Sequence, residues 1–300
     1  GIDYFTHSAA LLKDLDVSEL EEWALHGITL FEEAPSLGRP YFSLNSESSK
    51  EFIEGLIGSV ALNEIVSVLR YYALGLSGIN FNILSRRMLQ VEEKTNAINP
   101  VIAGRTIYLA PWIRKYGDRE DNFRIYKLSI MHEIGHVQFS SHKIERDDVA
   151  GLMADIRSRY TTIMKRTYLS GMQPEGIIDI ADIIALFPNK ALAGTILGVL
   201  EDARVEYRIM QHYRGVRSDL ERIRYQMLLT RSVPKGDLEE FMESLLWITT
   251  GYEPFNISKG TAGLLEETRV LLKERIFREG SSVFDSLDTT FRIYTLLDDR

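Results

Sequence analysis

Cysteine is absent from this 300-residue chain. Its absence excludes disulfide bonds and thiolate metal ligands, so a transition metal would have to be held by histidine and carboxylate side chains. A chain without cysteine also fits a reducing compartment, and we expect a cytoplasmic protein. Histidine is scarce as well, with only 6 residues, so a cluster of histidines in the sequence carries information.

Long apolar runs and basic stripes are also missing. No apolar stretch approaches the roughly 20 residues that cross a bilayer, so we expect no contact with a membrane. The net charge is −8 and no stripe rich in lysine and arginine is visible, which argues against nucleic acid as a partner. With 45% apolar and 26% charged residues, the composition is typical of a globular protein with a substantial core.

The hydrophobic pattern predicts a mainly α fold. Apolar residues recur at helical spacing through most of the chain, whereas residues 105–110 have the character of a short strand that Pro111 stops. No Ser/Gly-rich linker divides the chain, so we expect a helical domain over 1–235 and a helical tail over 236–300, packed on it or loosely attached. The first clear helix is expected to end at Gly27, and further helices are expected at 49–77, 80–94, 122–141, 190–213, 216–231, 237–249, 260–278 and 281–297.

The most informative segment is the pentapeptide from His132 to His136, which has the pattern H-E-x-x-H. Residues i and i+4 of a helix lie on one face, so both imidazoles can point at one metal ion. Glu133 lies roughly 100° around the helix from His132. From there its carboxylate can act as a general base without binding the metal itself. The motif therefore predicts a zinc site in which Glu133 is a catalytic base.

A catalytic zinc site usually has three protein ligands, so a third donor is needed. The apolar segment 196–200 is followed by two acids, Glu201 and Asp202, with Glu206 one turn later. Because a buried carboxylate is costly unless it is paired or binds a metal, this acidic pair calls for an explanation. We expect Glu201 to be the third ligand and Asp202 to form a hydrogen bond to a ligand histidine. Asp202 and Glu206 remain alternative ligands.

Substrate contacts are predicted on both sides of the motif. The strand through Tyr108, Leu109 and Ala110 could lie at a sheet edge and bind a peptide by strand addition. Hydrolysis of a peptide also needs a hydrogen-bond donor for the developing oxyanion. Tyr207, His212 and Tyr213 follow the acidic pair and are the candidates, and the sequence does not choose among them.

Each of these assignments has a structural alternative. The two motif histidines could be core residues with satisfied hydrogen bonds, and Glu133 could lie on a polar helix face. Glu201 could pair with Arg204 or Arg208. The segment 105–110 could be a core strand. His142, like His7 and His26, is expected to be solvated. A di-iron site is not supported, because it needs a second Glu-x-x-His motif and the chain has none.

The order of a short strand, a histidine helix and a carboxylate helix resembles the zincin metallopeptidases with a distal glutamate ligand. The resemblance covers roughly residues 105–213, and its specific part is the H-E-x-x-H motif with Glu201. It implies a zinc-dependent hydrolase that acts on peptide or protein substrates.

A second resemblance is carried by the motif together with Leu200-Glu201-Asp202-Ala203-Arg204-Val205-Glu206 and residues 282–286 and 294–297. These segments are similar to the N-terminal region of NorD/CbbO-type accessory proteins, which work with MoxR-type AAA+ ATPases. This resemblance implies a metal-binding helical accessory protein with an AAA+ ATPase or metalloenzyme as partner. The von Willebrand factor A domain of those proteins is not represented, because the chain has no Asp-x-Ser-x-Ser motif.

Overall fold

A computed structural model describes Leu11, Leu15 and residues 17–88, 101–142, 144–160 and 178–299. Within these ranges the chain is mainly α-helical with small sheets, which confirms the predicted fold class. It forms two compact units, Gly1–Ile130 and Met131–Arg300. The predicted boundary at residue 235 falls inside the second unit. None of the described helices combines the length and the apolar character needed to span a bilayer.

From Val17 onwards, the described part of the first unit contains the helices α1 (Val17–Glu33), α2 (Pro35–Phe42) and α3 (Glu47–Ile57). Their core is built around Trp23, whose ring stacks on Tyr41 at 5.6 Å between centroids. Helix α1 does not end at Gly27 as predicted. A Cβ atom at Gly27 would lie 2.6–2.7 Å from atoms of Phe42 and Tyr41, so this glycine permits close helix packing rather than ending the helix.

The first unit also contains two small sheets. Strands β1 (Val60–Ala61) and β5 (Trp112–Ile113) pair antiparallel, with α4 (Leu62–Ser77) directly after β1. The other sheet has the order β2 (Asn82–Ser85), β4 (Thr106–Leu109), β3 (Val101–Ala103). Strand β2 and a 3₁₀ turn at Arg86–Met88 replace the start of the helix predicted over 80–94. The rest of that prediction lies outside the described residues.

The expectation of an open edge at residues 105–110 is wrong, because β4 is the central strand of its sheet. Its backbone is paired with β2 on one side and with β3 on the other. Leu109 and Ala110 are each only 1% exposed, while Tyr108 is half-buried. The Ala110 carbonyl accepts a hydrogen bond from the Tyr126 hydroxyl at 2.9 Å. Strand addition to β4 is therefore blocked. Leu109 and Ala110 are core residues of the first unit, and Tyr108 is half-buried on a strand that is paired on both sides.

Helix α5 (Arg119–Gln138) carries the histidine motif and extends from the first unit into the second. The second unit then contains α6 (Arg146–Tyr160), α7 (Ile180–Ile184), α8 (Lys190–His212), α9 (Arg217–Leu229), α10 (Asp237–Thr249), α11 (Lys259–Leu271), a π turn (Leu272–Ile276) and α12 (Val283–Asp298). Its apolar core joins residues from α6 and α8 with Phe241, Leu265 and Leu287. The predicted tail over 236–300 is therefore an integral part of this core.

Candidate metal centre

Helix α5 approaches α8 closely at Gly135, the fourth residue of the histidine motif. A Cβ atom there would lie 2.7 Å from both Ile209 Cδ1 and Val205 Cγ1, so a larger residue would require these side chains or the helices to shift. Val205 and Ile209 are four residues apart and share one face of α8. This contact brings the adjoining part of that face, which carries Asp202 and Glu206, against the two histidines.

Three donor atoms converge between the helices. The Nε2 atoms of His132 and His136 are 2.9 Å apart. One carboxylate oxygen of Asp202 lies 3.5 Å from the first of these atoms and 3.3 Å from the second. Among the described histidine, aspartate and glutamate residues, these three form the one group whose donor atoms are close enough to share an ion.

The separations fit a zinc ion. Zinc bound to imidazole nitrogen and carboxylate oxygen has bond lengths of about 2.0–2.2 Å, usually in tetrahedral geometry. The corners of such a tetrahedron are about 3.3 Å apart, which follows from a bond of about 2.0 Å. The three separations of 2.9, 3.3 and 3.5 Å lie around this value. Three protein donors would leave one corner for water or substrate, as in catalytic sites.

Each histidine is also held through its other ring nitrogen. His132 Nδ1 lies 3.5 Å from a carboxylate oxygen of Glu206, and Glu206 is in turn paired with Arg224 on α9. His136 Nδ1 lies 2.9 Å from the Ser141 hydroxyl, just beyond the end of α5. Metal-binding histidines commonly use the distal nitrogen in this way, which orients the ring and favours one tautomer.

Glu201 does not lie where the sequence predicted a ligand, and Asp202 lies there instead. Glu201 is buried and accepts a hydrogen bond from Arg204 Nε at 2.8 Å and another from the Ser286 hydroxyl at 2.7 Å. Its carboxylate is therefore already neutralised by another partner. Asp202, the next residue, lies about 100° further around the helix and faces the histidines. The group of converging donor atoms therefore contains Asp202, which the sequence left as an alternative ligand, and not Glu201.

The cluster of histidines and acids is strongly polarised. Burial lowers the pKa of His132, but its hydrogen bonds to Asp202 and Glu206 outweigh this effect and raise the pKa to about 10. Burial raises the pKa of Asp202, yet the two imidazoles hold it well below the usual range. For Glu206, His132 and Arg224 likewise outweigh burial and lower the pKa. The acids on α8 thus favour a positive charge between the helices, which a proton or a metal cation can supply.

Glu133 lies beside this cluster but is not one of its three donors. Burial raises the pKa of Glu133, and this effect outweighs the opposing attraction of His132 and His136. A carboxylate with a raised pKa accepts a proton more readily near neutral pH. The predicted general base therefore has an environment that suits the role.

The three predicted oxyanion donors contact other groups. The Tyr207 ring packs 5.6 Å from Phe277 between centroids, and His212 Nδ1 lies 2.9 Å from the Arg208 carbonyl. The Tyr213 hydroxyl donates a hydrogen bond to Gln138 at 3.0 Å. Tyr207 and His212 both line a cavity of about 380 Å³ with Arg208 and Arg278.

His142 is the residue near the site that sequence analysis set aside. It is exposed, as expected, but its ring centroid lies 6.2 Å from that of His136. Its charge also acts on Glu133, whose pKa it lowers slightly against the effect of burial, the largest cause. Its position six residues after His136 was the available signal, because a turn at the helix end can fold such a residue back over the site.

Comparison with known proteins identifies no matching family model, no matching curated protein and no matching solved structure. The resemblances to zincins and to NorD/CbbO-type proteins therefore stay predictions from short motifs. The function of the chain is therefore inferred from the geometry of the cluster.

Proposed function

We propose that this chain is a cytoplasmic, zinc-dependent metallopeptidase-like protein that hydrolyses peptide bonds. His132, His136 and Asp202 would hold the metal, and Glu133 would be the general base. The single observation that carries the proposal is the convergence of two imidazole Nε2 atoms and a carboxylate oxygen at 2.9–3.5 Å. The exposure of the Asp202 side chain, 53%, supports access of a substrate to this point.

When bound, zinc supplies Lewis acidity, which polarises a carbonyl and makes a nearby water acidic enough to ionise near pH 7. The residues of the chain move the proton. Glu133 takes it from the attacking water as the oxygen bonds to the carbonyl carbon, and returns it to the amine nitrogen as the C–N bond breaks. His142 is exposed, and its ring lies 6.2 Å from that of His136 between centroids, so we propose it as a hydrogen-bond donor for the carbonyl oxygen.

The test is a comparison of wild type with Glu133→Gln and His136→Ala. Metal content is measured by elemental analysis, and turnover is measured on a peptide library. We expect about one equivalent of zinc in wild type and in Glu133→Gln, little in His136→Ala, and turnover in wild type alone. General-base removal costs about 10²–10⁴-fold in rate. Unchanged turnover in zinc-loaded Glu133→Gln would eliminate the mechanism.

The same measurements distinguish a peptidase from the metal-binding accessory protein that the resemblance to NorD/CbbO-type proteins implies. A wild-type protein that binds zinc through His132, His136 and Asp202 but cleaves no peptide would be a metal-binding accessory protein. We would then expect an AAA+ ATPase or a metalloenzyme to be retained on the immobilised wild-type chain. Retention that is lost in His136→Ala would support a role of the metal centre in that partnership.

A further inference from the structure

We infer that the buried ion pair between Glu201 and Arg204 fixes the rotation of α8 about its axis, so that Asp202 faces the two motif histidines. Both members of the pair are then positioning residues. The inference rests on the proposed metal centre, since Asp202 supplies one of its donor atoms. It gives a role to the acid that the sequence suggested as a ligand and that lies outside the group of converging donors.

The pair is removed from water almost completely. The relative exposure of Arg204 is 0%, and that of Glu201 is 7%. Desolvation of two charges is so costly that a buried ion pair is often no more stable than apolar side chains of the same volume. A gain in stability therefore does not explain the pair by itself. A role in selecting one arrangement of the helices does.

The guanidinium of Arg204 connects three segments of the second unit. Its Nε donates to Glu201 on α8 at 2.8 Å, and its Nη2 bonds to the other oxygen of the same carboxylate. Nη2 also donates to the Phe139 carbonyl at 3.2 Å, just beyond the end of α5. Nη1 donates to the Ser281 carbonyl at 3.0 Å, just before α12. Because the guanidinium is planar and its N–H directions are fixed, one orientation satisfies these acceptors together.

These directional bonds add what the apolar contact at Gly135 lacks. That contact lets α5 and α8 approach each other, but apolar burial has no preferred direction. A rotation of α8 by one residue position, about 100°, would carry the guanidinium away from both carbonyls and leave a buried charge without these partners. Since Arg204 and Asp202 belong to one helix, the rotation that satisfies Arg204 also places Asp202 3.3–3.5 Å from the histidine nitrogens.

The pair also holds the end of the helix that carries the histidines. Phe139, whose carbonyl accepts from Arg204, lies three residues after His136. Arg204 Nη2 is 3.4 Å from the Ser141 hydroxyl, and that hydroxyl lies 2.9 Å from His136 Nδ1. On the other side, the Ser286 hydroxyl of α12 donates to Glu201 at 2.7 Å. Both helices that supply donor atoms are therefore bonded to one ion pair.

The test compares three variants of the full chain with wild type. Arg204→Lys keeps the positive charge but replaces the planar fork with a point charge, which does not reproduce the same set of bonds. The double variant Glu201→Leu/Arg204→Met removes both charges, so the net charge beside the site is unchanged. Leu265→Ala is the control for a loss of stability, because it creates a cavity in the core on α11 and leaves the pair intact.

Zinc affinity is measured by competition with a chelator. The zinc dissociation constant should rise about 10–100-fold in Arg204→Lys and in the double variant, as for other groups that orient ligands. It should be unchanged in Leu265→Ala. With cobalt(II) in place of zinc, the visible absorption bands report the coordination geometry and should change in the two pair variants alone. Wild-type affinity in either pair variant would overturn the inference, and so would an equal loss in Leu265→Ala.

A distance measurement in the metal-free protein reads the rotation of α8 directly. The chain has no cysteine, so spin labels attach only to the introduced residues of Val137→Cys on α5 and Gln211→Cys on α8, both exposed positions. Double electron–electron resonance should give one narrow distance distribution in wild type and Leu265→Ala, and a shifted or broader one in both pair variants.

An unchanged distance distribution in the pair variants would overturn the positioning role. If the double variant does not fold, Arg204→Lys decides. A wild-type chain that binds no zinc would end the proposed function but would leave the distance result as it is, so the two proposals can fail separately.

Discussion

Two adjacent carboxylates on α8 have opposite surroundings. Glu201 is 7% exposed, and its negative charge is matched by Arg204, with a further hydrogen bond from Ser286. Asp202 is half-exposed, and its described polar neighbours are the two histidine rings. A metal ion would add little electrostatic stabilisation to a carboxylate that is already paired with a guanidinium. It would stabilise a carboxylate that faces two imidazoles much more. A candidate ligand is therefore identified by the groups around it and not by its burial.

The largest expected effect separates these two carboxylates directly. Asp202→Asn should weaken zinc binding more than about 100-fold, beyond the range for residues that only support a ligand. Without zinc, its cost in free energy of unfolding should be smaller than that of Glu201→Gln, because the Asp202 side chain is 53% exposed and solvent screens its attraction to the histidines. Glu201→Gln should lose less zinc affinity than Asp202→Asn but more stability. Its cost in stability should be about 3–5 kcal/mol, because Arg204 would be buried without a counter-charge.

Zinc affinity is measured by competition with a chelator, and stability by urea unfolding in the presence of that chelator. Equal zinc affinity in Asp202→Asn and wild type would show that the carboxylate on this face is not a ligand. Equal stability in the two variants would show that Glu201 and Asp202 do not differ in their contribution to folding.

The face that carries Asp202 should also make the stability of the metal-free protein depend on pH. The pKa of His132 is raised to about 10 in the folded protein, against about 6.5 in an unfolded chain. Protonation of His132 thus stabilises the fold fully below about pH 6.5. This contribution should be lost progressively as the pH rises towards about 10. Urea unfolding in chelator at several pH values measures it.

His132→Gln is the control for this prediction, because glutamine keeps a polar side chain without a titrating group. The variant should show a flatter stability curve between pH 6.5 and pH 10. A wild-type curve of the same shape as that of His132→Gln would contradict the predicted charge on the ring.

The smallest expected effect concerns the contact that orients the Asp202 face. Gly135→Ala would place a Cβ atom 2.7 Å from Val205 and Ile209. Such overpacking costs about 1–3 kcal/mol, and the displaced helices should also weaken zinc binding. Gly198→Ala is the matched control, since its Cβ atom on α8 would meet nothing within 4 Å. That variant should stabilise the helix by about 0.5–1 kcal/mol. Equal effects of the two variants on zinc affinity would show that the contact at Gly135 does not influence zinc binding.

The histidine half of the site could be predicted because it is a local property. Two residues four apart on one helix share a face wherever that helix lies, so the spacing of His132 and His136 was sufficient. The same spacing rule applies to the acidic residues on α8. Asp202 and Glu206 are also four apart, so they match the two histidines across the helix pair, whereas Glu201 shares its face with Arg204.

The choice between Glu201 and Asp202 depends on how α8 is rotated about its own axis. Neighbouring residues on a helix differ by about 100° in direction, and the rotation is set by the contact of Gly135 with Val205 and Ile209. Strand β4 gives a second example. Its apolar character was visible, but whether it lies at an edge or at the centre depends on strands β2 and β3, which belong to other parts of the chain.

By itself, the sequence determined the mainly α class, the helix that carries the motif, the paired imidazoles and the Glu133 carboxylate beside them. These follow from periodicity and spacing over a few residues. Only the tertiary structure decided which acid completes the donor set, which group orients each ring and whether the strand is open to a partner. Those outcomes depend on contacts between segments that are far apart in the chain. If α8 is rotated about its axis by the angle between neighbouring residues, a different carboxylate faces the histidines.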